Sequence, residues 1–237
     1  MSRLLNHLRD PVRLPGLIWK NLRYPFTPAA AEARFDRALG IDTAGTILNP
    51  VAHPDGTAAA FGAGYVGTPV AIAEHLIRKI ADRARGFTFV DIGAGKGRVL
   101  VIAARHPFAR VVGVELADGL CDIARRNAAI VAKRRPTGPP IEVVHADATT
   151  YELPNGPCVV FLYRPFVGAV AERVVQNIIT SFRNNPRPIT VLYYTQDFPT
   201  GLSDPIFRRH EVYNPPHDRM EWFKKYGFRA GIFEAFP

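Results

Sequence analysis

The sequence predicts a doubly wound α/β fold with a mainly parallel, Rossmann-like sheet, preceded by a helical N-terminal extension. Two observations carry this prediction. From Phe87 onward, short apolar runs typical of buried strands alternate with longer stretches of helical periodicity. The first run ends in the glycine-rich stretch DIGAGKG, residues 91–97, which opens a helical segment. Ligands bind at the carboxyl ends of the strands in such sheets, so this loop is the first candidate for a binding site.

Five apolar runs supply the central strands of the predicted sheet. They are FTFVDI (87–92), RVVGVEL (110–116), IEVVHAD (141–147), CVVFLY (158–163) and PITVLYYT (188–195). The helical stretches between them are KGRVLVIAARH (96–106), ADGLCDIARRNAAIVAKRR (117–135) and AVAERVVQNIITSFRNN (169–185). Connections of this length place the strands parallel, with helices on both faces. The tail adds two strand candidates, IFRRHEVY (206–213) and AGIFEAF (230–236).

The N-terminal part differs in composition from the rest of the chain. Residues 1–60 are rich in proline and arginine and lack strand signals, so we expect a helical or irregular lead-in before a domain spanning residues 61–237. A helix begins after Pro69, with Ile72, Leu76, Ile77 and Ile80 at helical spacing. The basic start, with leucines at 4, 5 and 8, favours either a helix that caps the domain or contact with a membrane surface.

Charge and cysteine content bound the partners and the compartment. The 237 residues carry a formal net charge of +9 at pH 7, which favours an acidic partner, RNA included. Five basic residues without an intervening acid lie at positions 125, 126 and 133–135. Cys121 and Cys158 form no CxxC pair and suggest no disulfide, so we expect a reducing, cytoplasmic compartment. The chain offers no run apolar enough to predict a membrane span, and no set of metal ligands.

The glycine stretch discriminates between cofactor classes. Gly93, Gly95 and Gly97 allow tight turns and close approach of a ligand to the backbone. The dinucleotide fingerprint is GxGxxG, whereas this loop is GxGxG and continues with Arg98. The Asp91 carboxylate would repel a pyrophosphate but suits an amino group or a sulfonium. A nicotinamide-dependent oxidoreductase is therefore disfavoured, and so is a nucleoside triphosphate, because a Walker loop needs GxxxxGK followed by Ser or Thr.

Two further acids end the next two predicted strands. Glu115 is placed to accept two hydrogen bonds from the vicinal hydroxyls of a ribose. Asp147 is placed to accept a hydrogen bond from an adenine amino group. Each acid alone is typical of a helix cap or a solvated turn. Three acids at three successive strand ends around one glycine loop indicate a nucleoside site.

These motifs resemble those of class I methyltransferases, which use S-adenosylmethionine. FVDIGAGKGRVL, VVGVEL and HADATTYELP resemble the first three motifs of that family in order and spacing, and the likeness extends from Phe61 to about Thr195. FDRALGIDTAG, residues 35–45, is similar to a stretch in a bacterial group of uncharacterised methyltransferases. That group in turn resembles the seven-strand protein-lysine methyltransferases. The resemblance implies S-adenosylmethionine as cofactor and a protein lysine or a small molecule as methyl acceptor, with RNA as the alternative that the charge favours.

The resemblance also assigns roles to individual residues. Asp91 and the backbone of the glycine loop would hold the methionine part, Glu115 the ribose, and Asp147 with Ala148 the adenine. The YVGTP segment would close over the methionine end. The complete set implied for the cofactor is Tyr65, Thr68, Asp91, Gly93, Ala94, Gly95, Gly97, Glu115, Leu116, Asp147, Ala148 and Leu162.

The stretch FLYRPF, residues 161–166, departs from the family pattern. Related sequences usually have Asn before the Pro-Phe pair, and the resemblance implies that its amide carbonyl holds a substrate nitrogen. Here the residue is Arg164, whose guanidinium has five donors and no acceptor. Three interpretations stay open: Arg164 recruits an anionic substrate, it points outward while proximity drives transfer, or the protein binds the cofactor with weak or no turnover. Tyr163 would either orient the nucleophile or pack the strand end.

Overall fold

The computed structural model of the protein describes residues 28–47, 65–164, 168–215 and 227–237. The expectations for the basic start of the chain, and for Pro165 and Phe166, lie outside these residues. The described helices are α1 (Pro28–Leu39), α2 (Val70–Ala81), α3 (Arg98–Ala103), α4 (Asp118–Arg134) and α5 (Gly168–Asn184), with a 3₁₀ turn at Thr200–Ser203. None of the helices described is long and apolar enough to cross a membrane.

The described strands form one large sheet and one small ribbon. The sheet contains β3 (Thr88–Ile92), β4 (Arg110–Glu115), β5 (Ile141–His145), β6 (Cys158–Tyr163), β7 (Ile189–Thr195), β8 (Phe207–Tyr213) and β9 (Arg229–Ala235). Their order is β5-β4-β3-β6-β7-β9-β8, and only β9 runs antiparallel to its neighbours. From β3 the chain adds β4 and β5 on one side and β6 and β7 on the other, so the strand order reverses between β3 and β6. The later strand β9 is inserted between β7 and β8. The predicted doubly wound, mainly parallel sheet is confirmed.

The sheet is covered on both faces, and strand periodicity decides which side chain enters which core. In β3, Phe89 packs in the cluster formed with α2 and α3, whereas Val90 and Ile92 pack in the cluster formed with α5. Side chains alternate between faces along a strand. Asp91 therefore points to the same face as Phe89, toward α2 and α3. It is the last residue but one of β3, directly before the glycine loop.

The described part of the lead-in packs on this domain. Ile41 is buried with Val101 and Val131 in a small cluster of its own. Two strands that were not predicted, β1 (Thr46–Ile47) and β2 (Tyr65–Val66), pair antiparallel and join the lead-in to the segment before α2. A strand of two residues shows no periodicity, so the sequence carries no signal for it. The division of the chain at residue 60 stays a prediction.

Candidate functional site

The parallel register brings the three predicted acids to one edge of the sheet. Ile92, the last residue of β3, pairs with Val114 on one side and Leu162 on the other. Glu115 pairs with His145 across the next ladder. The loops that follow β3, β4 and β5 therefore lie side by side, and they carry the glycine stretch, Glu115 and Asp147.

The glycine loop turns through three left-handed residues. Gly93, Gly95 and Gly97 have φ values of 77°, 54° and 82°, a region that other residues rarely occupy. The amides of Gly93 and Ala94 both donate to the carbonyl of Val114, at 2.9 and 3.0 Å. The loop is thereby tied to the end of β4, and Gly93 stays exposed at its outer turn.

The Glu115 carboxylate is held by backbone amides on both sides. Its Oε2 accepts from the amide of Gly95 at 2.8 Å, while Oε1 accepts from the amides of Leu116 and Ala117 at 3.0 and 2.9 Å. A carboxylate offers about four acceptor positions. Three of these positions accept hydrogen bonds from amides of the described residues, which fixes the direction of the side chain. Oε2 can still accept one more hydrogen bond.

Asp91 is a buried carboxylate without a hydrogen-bond donor among the described residues. Its relative exposure is 3%, and no amide or side-chain donor of the described chain reaches its oxygens. Burial raises the pKa of Asp91 well above its ordinary value, and the nearby charge of Glu115 raises it further. A buried acceptor of this kind fits a ligand that brings a positively charged donor, such as the ammonium group of S-adenosylmethionine.

The loop after β5 is anchored to both its own turn and α5. Asp147 Oδ1 accepts from the amide of Thr149 at 2.7 Å. The carbonyl of Thr149 accepts from the side-chain amide of Asn177 in α5. Ala148 is buried between them, with 8% relative exposure. Asp147 itself is half-buried, at the edge where the sequence places the adenine ring.

The YVGTP segment lies directly on the glycine loop. A Cβ built on Gly95 would meet Cε2 of Tyr65 at 2.4 Å, so the tyrosine ring rests on the loop backbone. The Tyr65 hydroxyl donates to the carbonyl of Thr43 at 2.6 Å. Thr68 is buried, and its carbonyl accepts from Nη1 of Arg98 at 2.9 Å. The structure brings both predicted residues to the loop, together with lead-in residues that the sequence analysis does not assign to the site.

Sequence reasoning overlooked a polar network behind the glycine loop. The sequence predicts no binding role for Arg98 or Lys96. In the structure both are buried and bind residues of the lead-in, chiefly Thr43 and Asp42. The only sequence signal was the FDRALGIDTAG stretch, which supplies those partners.

The end of β6 forms the neighbouring part of the same edge. Leu162 is buried on the α5 face. Tyr163 is half-buried and stacks on Tyr194, with ring centroids 5.9 Å apart and an angle of 9° between planes. Arg164 is exposed, and its guanidinium carbon lies 5.5 Å from the ring centre of Phe228.

Arg164 has an unusual backbone conformation. Its φ of 43° is the only positive value among the described residues other than glycine. Asparagine tolerates the left-handed region better than arginine does. The asparagine that related sequences carry would therefore fit this turn with less strain, and Arg164 keeps the turn at a cost.

A protein-family model matches the central part of the chain. Residues 89–185 match the family model for a methyltransferase domain, from β3 to just beyond α5. The match includes the glycine loop, Glu115 and Asp147. No curated protein matches the chain.

Solved structures show the same fold at low sequence identity. The chain is similar to yhhF of Escherichia coli, described as a "putative methyltransferase", with 14% identity, a TM-score of 0.51 and coverage of 70% of this chain and 87% of that chain. It is also similar to an RNA methyltransferase from Salinibacter ruber in complex with S-adenosylhomocysteine, with 21% identity, a TM-score of 0.42 and coverage of 72% and 94%. The first likeness supports the fold. Residues 89–185 of this chain thus match the family model of a methyltransferase domain, and the Escherichia coli structure shares the fold.

Proposed function

We propose that the edge formed by the ends of β3, β4 and β5 holds S-adenosylmethionine, and that the methyl acceptor is a small molecule with an acidic group. The observation that carries the cofactor site is the buried carboxylate of Asp91, which has no described donor and lies beside a loop of three left-handed glycines. S-adenosylmethionine supplies an electrophilic methyl group on its sulfonium.

Each predicted residue has a definable task in this proposal. Asp91 pairs with the ammonium group, and Oε2 of Glu115 accepts from a ribose hydroxyl. The half-buried Asp147 accepts from the adenine amino group. The remaining predicted residues line the site through backbone or apolar contact: Gly93, Ala94, Gly95, Gly97, Leu116, Ala148 and Leu162. Tyr65 and Thr68 cover the loop from the lead-in side.

The acceptor class follows from the end of β6. Arg164 is exposed there and offers only donors, so it attracts a carboxylate or phosphate and repels the ammonium of a lysine. Burial raises the pKa of the Tyr163 hydroxyl above its ordinary value, so this group stays protonated at neutral pH and orients the acceptor by hydrogen bonding. Methyl transfer from a sulfonium depends mainly on in-line positioning, so a general base is not required.

Calorimetric titration tests the cofactor site. The wild type is titrated with S-adenosylmethionine, S-adenosylhomocysteine and NAD, and so is Glu115→Ala. Glu142→Ala serves as the matched control, because Glu142 is an exposed acid on β5 whose one ion pair within the described part of the chain is with Arg110, at 3.6 Å. Micromolar binding of the first two ligands, lost in Glu115→Ala alone, is expected. A preference for NAD would contradict the proposal.

The Arg164→Asn variant tests the acceptor class. Release of S-adenosylhomocysteine is measured with a hydroxybenzoate and with a lysine-containing peptide. We expect Arg164→Asn to lose activity toward the acid and to gain activity toward the peptide. Unchanged rates with both acceptors would show that Arg164 does not select the substrate.

A second candidate partner, RNA, is favoured by a basic cleft on the opposite edge of the sheet. The cleft has a volume of about 610 Å³ and lies at the amino ends of β3 and β4. The cleft is lined by four arginines, which are Arg78, Arg85, Arg105 and Arg135. Asp82 is the acid among its lining residues. Such a cluster fits the phosphates of a polyanion. RNA bound there would reach the carboxyl edge only by passing around the domain.

Salt-dependent binding of single-stranded RNA tests this candidate. The variant Arg85→Ala/Arg135→Ala removes two cleft charges, and Arg125→Ala/Arg126→Ala removes two charges from α4. If the cleft binds RNA, only the first pair reduces the slope of log K against log salt, by about 1.4 for two phosphate contacts. Equal slopes in both variants would mean that the binding reflects net charge alone.

A further inference from the structure

Arg98 joins three segments that are far apart in the sequence. Its guanidinium is 2% exposed, and Nε donates to the Thr43 hydroxyl at 3.0 Å. Nη1 donates to the carbonyl of Thr68 and pairs with Glu32 at 3.2 Å, while Nη2 donates to the carbonyl of Thr43. A buried guanidinium is tolerated only when its donors are paired. The conformation of the residue that follows the glycine loop thus depends on the lead-in.

Asp36 fixes the part of the lead-in that Arg98 binds. Its carboxylate accepts from the amides of Thr43 and Ala44, both at 2.6 Å, and from the Thr43 hydroxyl at 2.5 Å. These contacts hold residues 42–44, the strap, in one conformation. They also explain the spacing of Asp36 and Thr43 in the FDRALGIDTAG stretch.

A second joint links the strap to the glycine loop. Lys96, inside the loop, pairs with Asp42 at 2.8 Å and donates to the carbonyl of Ala44 at 3.0 Å. The Asn127 side chain donates to the carbonyls of Asp42 and Lys96, at 2.7 and 2.9 Å. The loop and the strap therefore share one hydrogen-bond network.

The network reaches the proposed ribose ligand through Tyr65. The strap holds the Tyr65 hydroxyl, the Tyr65 ring rests on Gly95, and the amide of Gly95 donates to Glu115. Arg98 also packs closely against Gly67, because a Cβ on Gly67 would lie 2.5 Å from Nη1 of Arg98. A shift of the strap would thus move the amide that orients the Glu115 carboxylate.

We propose that Arg98 is a positioning residue, and that docking of the strap through Arg98 and Thr43 sets the affinity of the glycine loop for S-adenosylmethionine. This inference rests on the cofactor site proposed above. Coupling between two sites is reciprocal. Cofactor binding must therefore stabilise the docked strap by the same factor by which docking strengthens cofactor binding.

Two variants and one control test the inference. Thr43→Val keeps the shape of the buried side chain but removes the hydroxyl that joins Asp36 to Arg98. Arg98→Met removes the guanidinium. The control is Arg187→Met, because Arg187 is also buried, with 5% exposure, and also donates to several carbonyls, among them Pro154 and Asn185. Arg187 lies near the amino ends of β6 and β7, away from the glycine loop.

The Kd for S-adenosylhomocysteine, measured calorimetrically, is the first readout. We expect Thr43→Val to raise it roughly 10-fold and Arg98→Met more, within the range of about 5- to 150-fold typical of coupled sites. Arg187→Met should lower the melting temperature and leave the Kd within about 2-fold of wild type, as expected for distant, independent sites. Thr43→Val decides the question if Arg98→Met does not fold.

Hydrogen exchange is the second readout and separates positioning from general destabilisation. Adding S-adenosylhomocysteine should slow exchange at the amides of Thr43 and Ala44 in the wild type and in Arg187→Met, but not in Thr43→Val. Folded Thr43→Val with wild-type affinity would overturn the inference. If Glu115→Ala binds S-adenosylhomocysteine as tightly as wild type does, the proposed cofactor site is wrong. If Glu115→Ala loses binding while Thr43→Val and Arg98→Met keep it, only the inference about the strap is wrong.

Discussion

The Asp91→Asn substitution separates the role of the carboxylate in binding from its effect on the fold. Asp91 is 3% exposed and has no donor among the described residues. Asparagine has nearly the same shape but carries no charge. The two consequences have opposite signs: the ligand-free protein should become more stable, and cofactor binding should be lost.

The stability effect depends on pH in a defined direction. Burial, and then the charge of Glu115, raise the pKa of Asp91 in the folded state, whereas an unfolded Asp titrates near about 3.9. As the pH rises above about 4, the unfolded chain releases this proton before the folded chain does, so wild-type stability falls with pH. Asp91→Asn escapes this loss. The difference in stability between the two proteins should be smallest near pH 4 and should grow toward pH 8.

Typical costs of buried polar groups set the size of the stability effect. Asparagine is also polar and would also be buried here, so Asp91→Asn relieves only the additional cost of the buried charge, which we take as about 1–3 kcal/mol. For a chain of this length, 1 kcal/mol shifts the melting temperature by about 2–4 °C. We therefore expect Asp91→Asn to melt roughly 2–12 °C higher than wild type at pH 8 without ligand. Differential scanning calorimetry across pH 4–8 measures this difference.

The binding effect is larger and opposite. Removing one partner of a buried charged pair costs about 2–5 kcal/mol, which corresponds to a Kd roughly 30- to 4,000-fold higher. Asp82→Asn is the matched control, because the Asp82 carboxylate is fully exposed and pairs only loosely with Arg85, at 3.9 Å. Asp91→Asn with unchanged melting temperature would show that the carboxylate is paired after all. Binding within about 3-fold of wild type would remove Asp91 from the cofactor site.

Three further outcomes follow from local geometry. Gly95→Ala should destabilise the protein by more than about 1–2 kcal/mol, because the residue is left-handed and the new Cβ would lie 2.4 Å from Tyr65. The control is Gly119→Ala, which should melt no lower than wild type because its new Cβ would meet no atom of another described residue within 4 Å. Arg164→Gly should raise the melting temperature by about 2–4 °C by relieving the left-handed strain, and an unchanged value would contradict that strain. Cys121 and Cys158 are buried, with thiol pKa values raised to about 11 by burial, so iodoacetamide at pH 8 should label them only on unfolding; rapid labelling of the native protein would show that the thiols are accessible.

The centre of the sheet could be predicted because its strands are buried on both faces. All seven residues of β7 are buried, and such a strand reads as one continuous apolar run. The acids at the strand ends were predictable for a related reason, since the carboxyl ends of parallel strands meet at one edge. The strands β1 and β2 were not predictable, because two residues carry no period and their pairing depends on the docked lead-in.

The role of Arg98 was not predictable from its neighbours in the sequence. Its partners Thr43 and Thr68 lie 55 and 30 residues away, and each contact uses a hydroxyl or a backbone carbonyl. Hydroxyls and carbonyls occur along the whole chain, so no pattern of residue types marks these two as partners. The FDRALGIDTAG resemblance pointed to the right segment without showing what that segment binds.

The partners of Arg98 and Lys96 also explain why neither of these two described basic residues pairs with Asp91. Both basic side chains lie within seven residues of Asp91 and are buried, yet Arg98 binds Thr43, Thr68 and Glu32, and Lys96 binds Asp42. No positive side chain of the described residues contributes to the shifted pKa of Asp91, which is raised by burial and by the like charge of Glu115. A buried carboxylate in this state gains more from an incoming cation than one that is already paired. The contacts that tie the lead-in to the glycine loop therefore also keep Asp91 available, and they favour a ligand with a positively charged end over one with a pyrophosphate.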